Sequence, residues 1–94
     1  MTRILQSNSD DVTVSISGPS LDQTDFRWIC HWSIDGLNER LSSYSVGVDS
    51  LDALLGSIWM VGEYLKLHQE ERNLMWLGST NIWMNVPTDF TWRD

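Results

Sequence analysis

The adjacent pair Cys30-His31 is the part of the sequence most suggestive of chemistry, because a thiol beside an imidazole can act as a nucleophile with its base. The pair lies in a segment where apolar and polar side chains alternate, which predicts a β-strand. Neighbouring side chains of a strand point to opposite faces, so the strand would separate the two groups. The alternation predicts that Cys30 lies in the core with the tryptophans and that His31 lies on the outer face with Ser33.

The sequence offers few other residues that could take part in catalysis or bind a metal. His68 and Glu71 are three apart near the end of a predicted helix, but a zinc site needs three or four ligands. The local carboxylate pairs, Asp10 with Asp11, Asp22 with Asp25, and Glu70 with Glu71, all lie outside the apolar runs that suit acid–base catalysis. The sequence contains neither a glycine-rich phosphate loop nor a nucleophile-elbow motif. We therefore expect a protein that is not an enzyme and that binds no metal or cofactor; an enzyme using His31 is the least favoured alternative.

A helix over 49–71 is the element on which the rest of the chain depends. Leucines and Ile58 recur at spacings of three and four from Leu51, which predicts one apolar helix face toward a sheet. Asp49 is the predicted N-cap, and Asp52 adds negative charge to the first turn. Gly62 lies in the middle of the predicted sheet-facing side, where it would allow a bulky strand residue to approach closely. Ile58 is predicted to be fully buried.

The strands before this helix follow from period-two alternation. Residues 2–6 predict a short edge strand, 12–16 a half-buried strand and 20–25 a polar loop. Residues 26–35 predict the strongest strand, with Phe26, Trp28, Cys30, Trp32 and Ile34 facing the helix. Asp35-Gly36 predicts a hairpin to a return strand over 39–48.

The return strand and the segment after the helix are less regular than the other predicted elements. In the return strand, Tyr44, Val46 and Val48 share a phase that Leu41 breaks, and a bulge near Ser42-Ser43 would reconcile them. After the helix, the apolar runs 74–77 and 81–86 predict a final hairpin or an irregular crossing, and 88–94 a flexible tail. These elements predict one α+β domain over 1–94: an antiparallel sheet of four or more strands with one long helix packed across one face.

Composition limits the compartment and the kind of partner. The 94 residues carry 13 acidic and 6 basic side chains, a formal charge of −7, which disfavours nucleic acid and anionic membranes and permits a basic protein. The single cysteine allows no internal disulfide, and no run approaches the roughly 20 apolar residues of a membrane span. The start lacks the apolar run of a signal peptide. We expect a cytoplasmic protein.

The candidate partner-binding residues lie on the predicted back of the helix. If the leucines face the sheet, an apolar stripe of interface-prone types remains on the opposite side, with Trp59 at its flank. This candidate set is Ala53, Met60, Tyr64, Leu67 and Trp59. The stripe would be covered by the C-terminal segment, by a second copy of the chain in a homodimer, or by a different protein.

The strand pair and the helix start together resemble a small bacterial family of unknown function. The resemblance rests on the aromatic strand around Cys30, on the helix-start signature Gly-Val-Asp-Ser-Leu-x-Ala-Leu matched by 47–54, and on Trp76-Leu77-Gly78 with Pro87. It covers roughly 12–87. The chain departs from the family pattern at Asp52, where the family has Gln, and at Asn85-Val86-Pro87, where it has Gly-Phe-Pro.

This resemblance implies a one-domain, non-enzymatic protein, similar to small acidic bacterial proteins that neutralise a toxin encoded beside them. It carries no catalytic residues over to this chain. The expected function is an immunity-type protein that binds a cognate toxin, with a basic toxin domain as its partner. The alternative is a self-associating structural domain without a toxin.

Overall fold

A computed structural model of the chain describes residues 1–8, 10–37 and 40–76. These residues form five strands and one helix: β1 (Thr2–Leu5), β2 (Val12–Ile16), β3 (Ser20–Asp22), β4 (Arg27–Asp35), β5 (Leu41–Gly47) and α1 (Ser50–Arg72). Every strand pairing is antiparallel, and α1 packs against β4 and β5. The predicted α+β fold is confirmed. Among the described residues, α1 falls short of the apolar length that a bilayer crossing requires.

β4 is the central strand because both of its sides are paired. One side pairs with β2 over its second half and with β3 over its first half, and the other side pairs with β5. The prediction of a loop over 20–25 is wrong at its start, since Ser20–Asp22 pairs with Arg27–Ile29. Polar side chains do not prevent this pairing, because the ladder is made by backbone groups. Phe26, predicted in the core, is 81% exposed and precedes the strand in a turn with φ 52°.

The core lies between the sheet and α1. Val14 pairs with Ile34 and Ile16 with Trp32, and residues directly opposite share a face, so these four side chains form one apolar layer. Cys30 lies in the same layer and is fully buried, as predicted. His31 is exposed on the other face, again as predicted.

The side chains of β5 that face the helix differ from the prediction. Its ladder with β4 is continuous from Trp28 opposite Gly47 to Ile34 opposite Leu41, so the bulge is absent. Leu41 therefore faces α1 together with Ser43, Ser45 and Gly47. Tyr44 and Val46 lie on the outer face and are 48% and 42% exposed. The sequence misleads here because the helix-facing side of β5 is mostly small and polar.

α1 begins as predicted, with Asp49 as its N-cap. Asp49 Oδ1 accepts the backbone N–H of Asp52 at 2.7 Å, which satisfies one of the four orphan donors of the first turn. The helix ends at Asn73, whose left-handed conformation (φ 50°) is common at this position. Arg72 in the last turn donates to Gly36 O at 2.8 Å, which fixes the helix end to the β4–β5 turn.

The helix face that meets the sheet is rotated from the predicted one. Its buried residues are Ala53, Ser57, Val61, Gly62 and Leu65. Leu51 is 61% exposed, and Ile58 is only partly buried, so the prediction of full burial is wrong. Shape decides the orientation, because the helix rests on the small residues of β5. A Cβ at Gly47 would lie 2.3 Å from Ala53 N, so the tightest close approach described is here and was not predicted.

The chain leaves α1 toward the β1 edge of the sheet. Leu74 is buried, and Met75 pairs with Gln6 by two backbone hydrogen bonds of 2.8 and 2.9 Å. The guanidinium of Arg3 lies 3.8 Å from the ring centre of Trp76. The rest of the predicted hairpin over 74–86 and the predicted tail 88–94 lie outside the described residues.

Candidate functional site

The outer face of the sheet carries a wide, open depression of about 520 Å³. The polar residues of its lining supply hydroxyl groups, one imidazole and one guanidinium: Ser15, Ser17, His31, Ser33, Arg40, Ser42, Ser43 and Tyr44. The His31 and Tyr44 rings, which lie opposite each other on β4 and β5, are 5.6 Å apart and tilted by 51°. Sequence reasoning identified His31 but missed Arg40, because residue 40 joins this face only through the register of β5.

The hydrogen bonds at this depression are structural. Ser17 Oγ accepts the backbone N–H of His31 at 3.1 Å and is 3.2 Å from the His31 carbonyl oxygen. In the described part of the chain, the His31 ring makes no hydrogen bond to a serine hydroxyl. The Cys30 thiol points to the opposite face and donates to Ser17 O at 3.3 Å. The described residues also contain no group of three or more His, Cys, Asp or Glu side chains that could hold a metal ion. The geometry therefore offers polar binding groups without an assembled nucleophile and base.

The predicted apolar stripe on the helix back is corrected by the structure. Ala53 is fully buried against the sheet, and the Tyr64 ring packs against Trp32 with ring centres 5.4 Å apart. Met60 is partly buried against the core. Trp59 and Leu67 are 45% and 75% exposed. The placement of Ala53 is wrong because the seam of α1 is centred near Ser57 and Val61 rather than on the leucines; partner binding by these five residues stays a prediction.

The direction of α1 determines which residues flank it. Ser57 Oγ donates to Cys30 O of β4 at 2.7 Å and lies 3.2 Å from Ser45 Oγ of β5, so the helix runs above the gap between these strands. Its end reaches Gly36, so it runs parallel to β4. Successive residues of a right-handed helix turn by about 100°. Ile58 and Gly62 then lie toward β2, whereas the opposite flank overlooks the outer edge of β5. We call that side the edge flank; it consists of Met60, Tyr64 and Leu67.

The solvent side of α1 forms a second surface, which we call the helix crest. Spacings of four, three and four align its residues, Trp59, Glu63, Lys66 and Glu70, and all four are exposed. Trp59 supplies apolar area, and the glutamates outnumber the single lysine. The sequence analysis named Trp59 as a candidate but did not group it with the charged residues of this surface, because hydrophobic periodicity identifies only the apolar side of a helix. An exposed tryptophan among acidic residues is suited to a basic protein surface with an apolar pocket.

These features define an open-faced α+β domain in which one helix covers one side of an antiparallel sheet. The chain belongs to the family described as Domain of unknown function (DUF6968), whose model matches residues 1–87. No curated protein and no solved structure matches the chain.

Proposed function

We propose that this protein is a non-enzymatic binding protein of the immunity type, which neutralises a basic bacterial toxin in the cytoplasm by direct contact through the helix crest. The observation that carries the proposal is the exposure of Trp59 among Glu63 and Glu70 on a chain of net charge −7. The resemblance to small acidic proteins encoded beside toxins supports the same function.

The two kinds of crest residue have separable roles. Tryptophan is enriched at the few interface positions that dominate binding energy, so Trp59 is the expected anchor in an apolar pocket of the toxin. Glu63 and Glu70 attract a basic surface over a distance of about 10 Å in 0.1 M salt, which raises the association rate more than the affinity. The crest faces away from the sheet, so a toxin can bind it without disturbing the core.

The test uses the product of a basic reading frame beside the gene of this protein. Expressed alone, that product should arrest growth of the host cell, and coexpression of this protein should restore growth. Trp59→Ala should abolish the rescue and weaken binding of the purified proteins by about 2 kcal/mol or more, measured by calorimetry. The matched control is Leu21→Ala, since Leu21 is 43% exposed, close to the 45% of Trp59, and lies on β3.

The outcomes separate cleanly. Loss of binding in Trp59→Ala with full binding in Leu21→Ala supports the crest as the toxin site. Equal binding by both variants removes the crest from the interface. If no basic protein encoded beside this gene binds the wild-type protein, the proposed function itself is contradicted.

A further inference from the structure

β5 forms an open edge of the sheet in the described part of the chain. From Leu41 to Gly47 it pairs with β4 on one side, and its sequence contains no charged residue, no proline and no bulge. Natural proteins protect exposed edges with charged residues, prolines or bulges. An edge of seven residues without them is therefore a template for pairing with another strand. We propose that β5 pairs antiparallel with β5 of a second copy of this chain, forming a two-fold symmetric dimer. This inference goes beyond the proposed function and does not depend on it.

The backbone groups that the edge offers follow from the register. His31 bonds through its backbone to Ser17, on the side of β4 away from β5. Backbone groups alternate in direction along a strand, so the pair of His31 and Tyr44 is a non-hydrogen-bonded pair of the β4–β5 ladder. The N–H and C=O groups of Tyr44 therefore point away from β4, as do those of Ser42 and Val46. These are the donors and acceptors that a second strand would use.

If the two-fold axis passes beside Tyr44, all of these backbone N–H and C=O groups form hydrogen bonds with the second copy. Tyr44 then pairs with Tyr44 of the partner subunit, and Ser42 with Val46 of the partner subunit, each pair exchanging both N–H···O=C bonds. The same register places Arg40 opposite the partner's Val48, just beyond each end of the paired strands. The paired strands themselves, 41–47 on each copy, contain no charged side chain, so two chains of charge −7 meet there without like charges opposite each other.

The helices fit the same arrangement. The two-fold axis lies midway between the two β5 strands, and α1 lies above the gap between β4 and β5. The distance from the helix axis to the two-fold axis is therefore about one strand spacing. Adjacent strands are about 4.8 Å apart. The two helices would thus lie about 10 Å apart, within the range of packed helices. Their facing sides are the edge flanks, where Leu67 is 75% exposed and Tyr64 is 38% exposed. Dimerisation would cover these apolar side chains and leave the helix crest open.

The first experiment is sedimentation velocity of the full chain alone over a micromolar concentration series. The wild-type protein should form a dimer. Tyr44→Lys should raise its dissociation constant by roughly tenfold or more, because two lysines would then lie opposite each other on the axis. The matched control is Ile4→Lys, which makes the same change of charge on the outer face of β1; Ile4 is 50% exposed and Tyr44 is 48% exposed.

A second test substitutes residues of α1 and leaves the sheet unchanged. Leu67→Asp should also weaken the dimer, whereas Leu51→Asp, at another exposed helix position, should not. Circular dichroism should show an unchanged helix signal in all four variants. A wild-type protein that stays monomeric throughout the series overturns the inference. So does a dimer that survives both Tyr44→Lys and Leu67→Asp, or one that Ile4→Lys disrupts as strongly as Tyr44→Lys.

Discussion

Gly47 is the point at which the helix and the sheet approach most closely among the glycines whose surroundings are described. A Cβ at this position would lie 2.3 Å from Ala53 N and 2.8 Å from Asp52 C and Cβ, and the first two of these atoms are backbone. The Ala53 N–H donates to Asp49 O at 3.2 Å in the first turn of α1. Gly47→Ala therefore cannot be accommodated by a rotamer change and must displace the start of the helix.

The expected loss of stability combines two opposing terms. Overpacking costs about 1–3 kcal/mol, and a contact with backbone belongs at the upper end. Restricting the unfolded chain returns about 0.4–1 kcal/mol. The free energy of unfolding should thus fall by about 2 kcal/mol, which corresponds to a decrease of roughly 8–16 °C in the melting temperature of a domain of this size.

Gly18→Ala is the matched control, because a Cβ at Gly18 would meet nothing within 4 Å. Neither Gly18 nor Gly47 has a positive φ, so the comparison isolates the steric contact. Urea denaturation should show Gly18→Ala unchanged or slightly stabilised and Gly47→Ala clearly destabilised. Equal stability of the two variants would refute the close approach of β5 and α1.

Three further measurements test the packing of α1 on the sheet. Cys30 is fully buried, so it should react slowly with a thiol reagent in the native protein and rapidly after denaturation; fast native labelling would contradict the inward face of β4. Asp49→Ala should lower the free energy of unfolding by about 1 kcal/mol and Asp49→Asn by much less, whereas equal losses would contradict the N-cap. Ser57→Ala should cost about 1 kcal/mol in urea denaturation because the hydrogen bond to Cys30 O is lost, and a stabilised variant would show that the bond contributes nothing.

Elements with a regular period could be predicted from the sequence. Alternation identified β2 and β4 and the opposite faces of Cys30 and His31, and Asp49 identified the helix start. β3 was missed because Ser20–Asp22 carries no apolar alternation and forms only by pairing with β4.

The orientation of α1 could not be predicted, and the candidate surface depended on it. Hydrophobicity favoured Leu51 as a sheet-facing residue, but the seam is set by small residues that fit together, such as Ser57 over Ser45. Such complementarity joins residues of two elements and leaves no period in either. The rotation moved Ala53 into the core and left Trp59 on the solvent side.

The central claim is that the helix crest binds a basic toxin, and binding of charge-reversed proteins to the purified basic neighbour tests it most directly. One variant carries Glu63→Lys and Glu70→Lys on the crest; the other carries Asp10→Lys and Asp11→Lys, which makes the same change of net charge on an exposed loop. Calorimetry in 0.1 M salt should show binding lost or strongly weakened in the crest variant and nearly preserved in the loop variant. Equal weakening of both would show that only net charge matters, and undiminished binding by the crest variant would contradict the account.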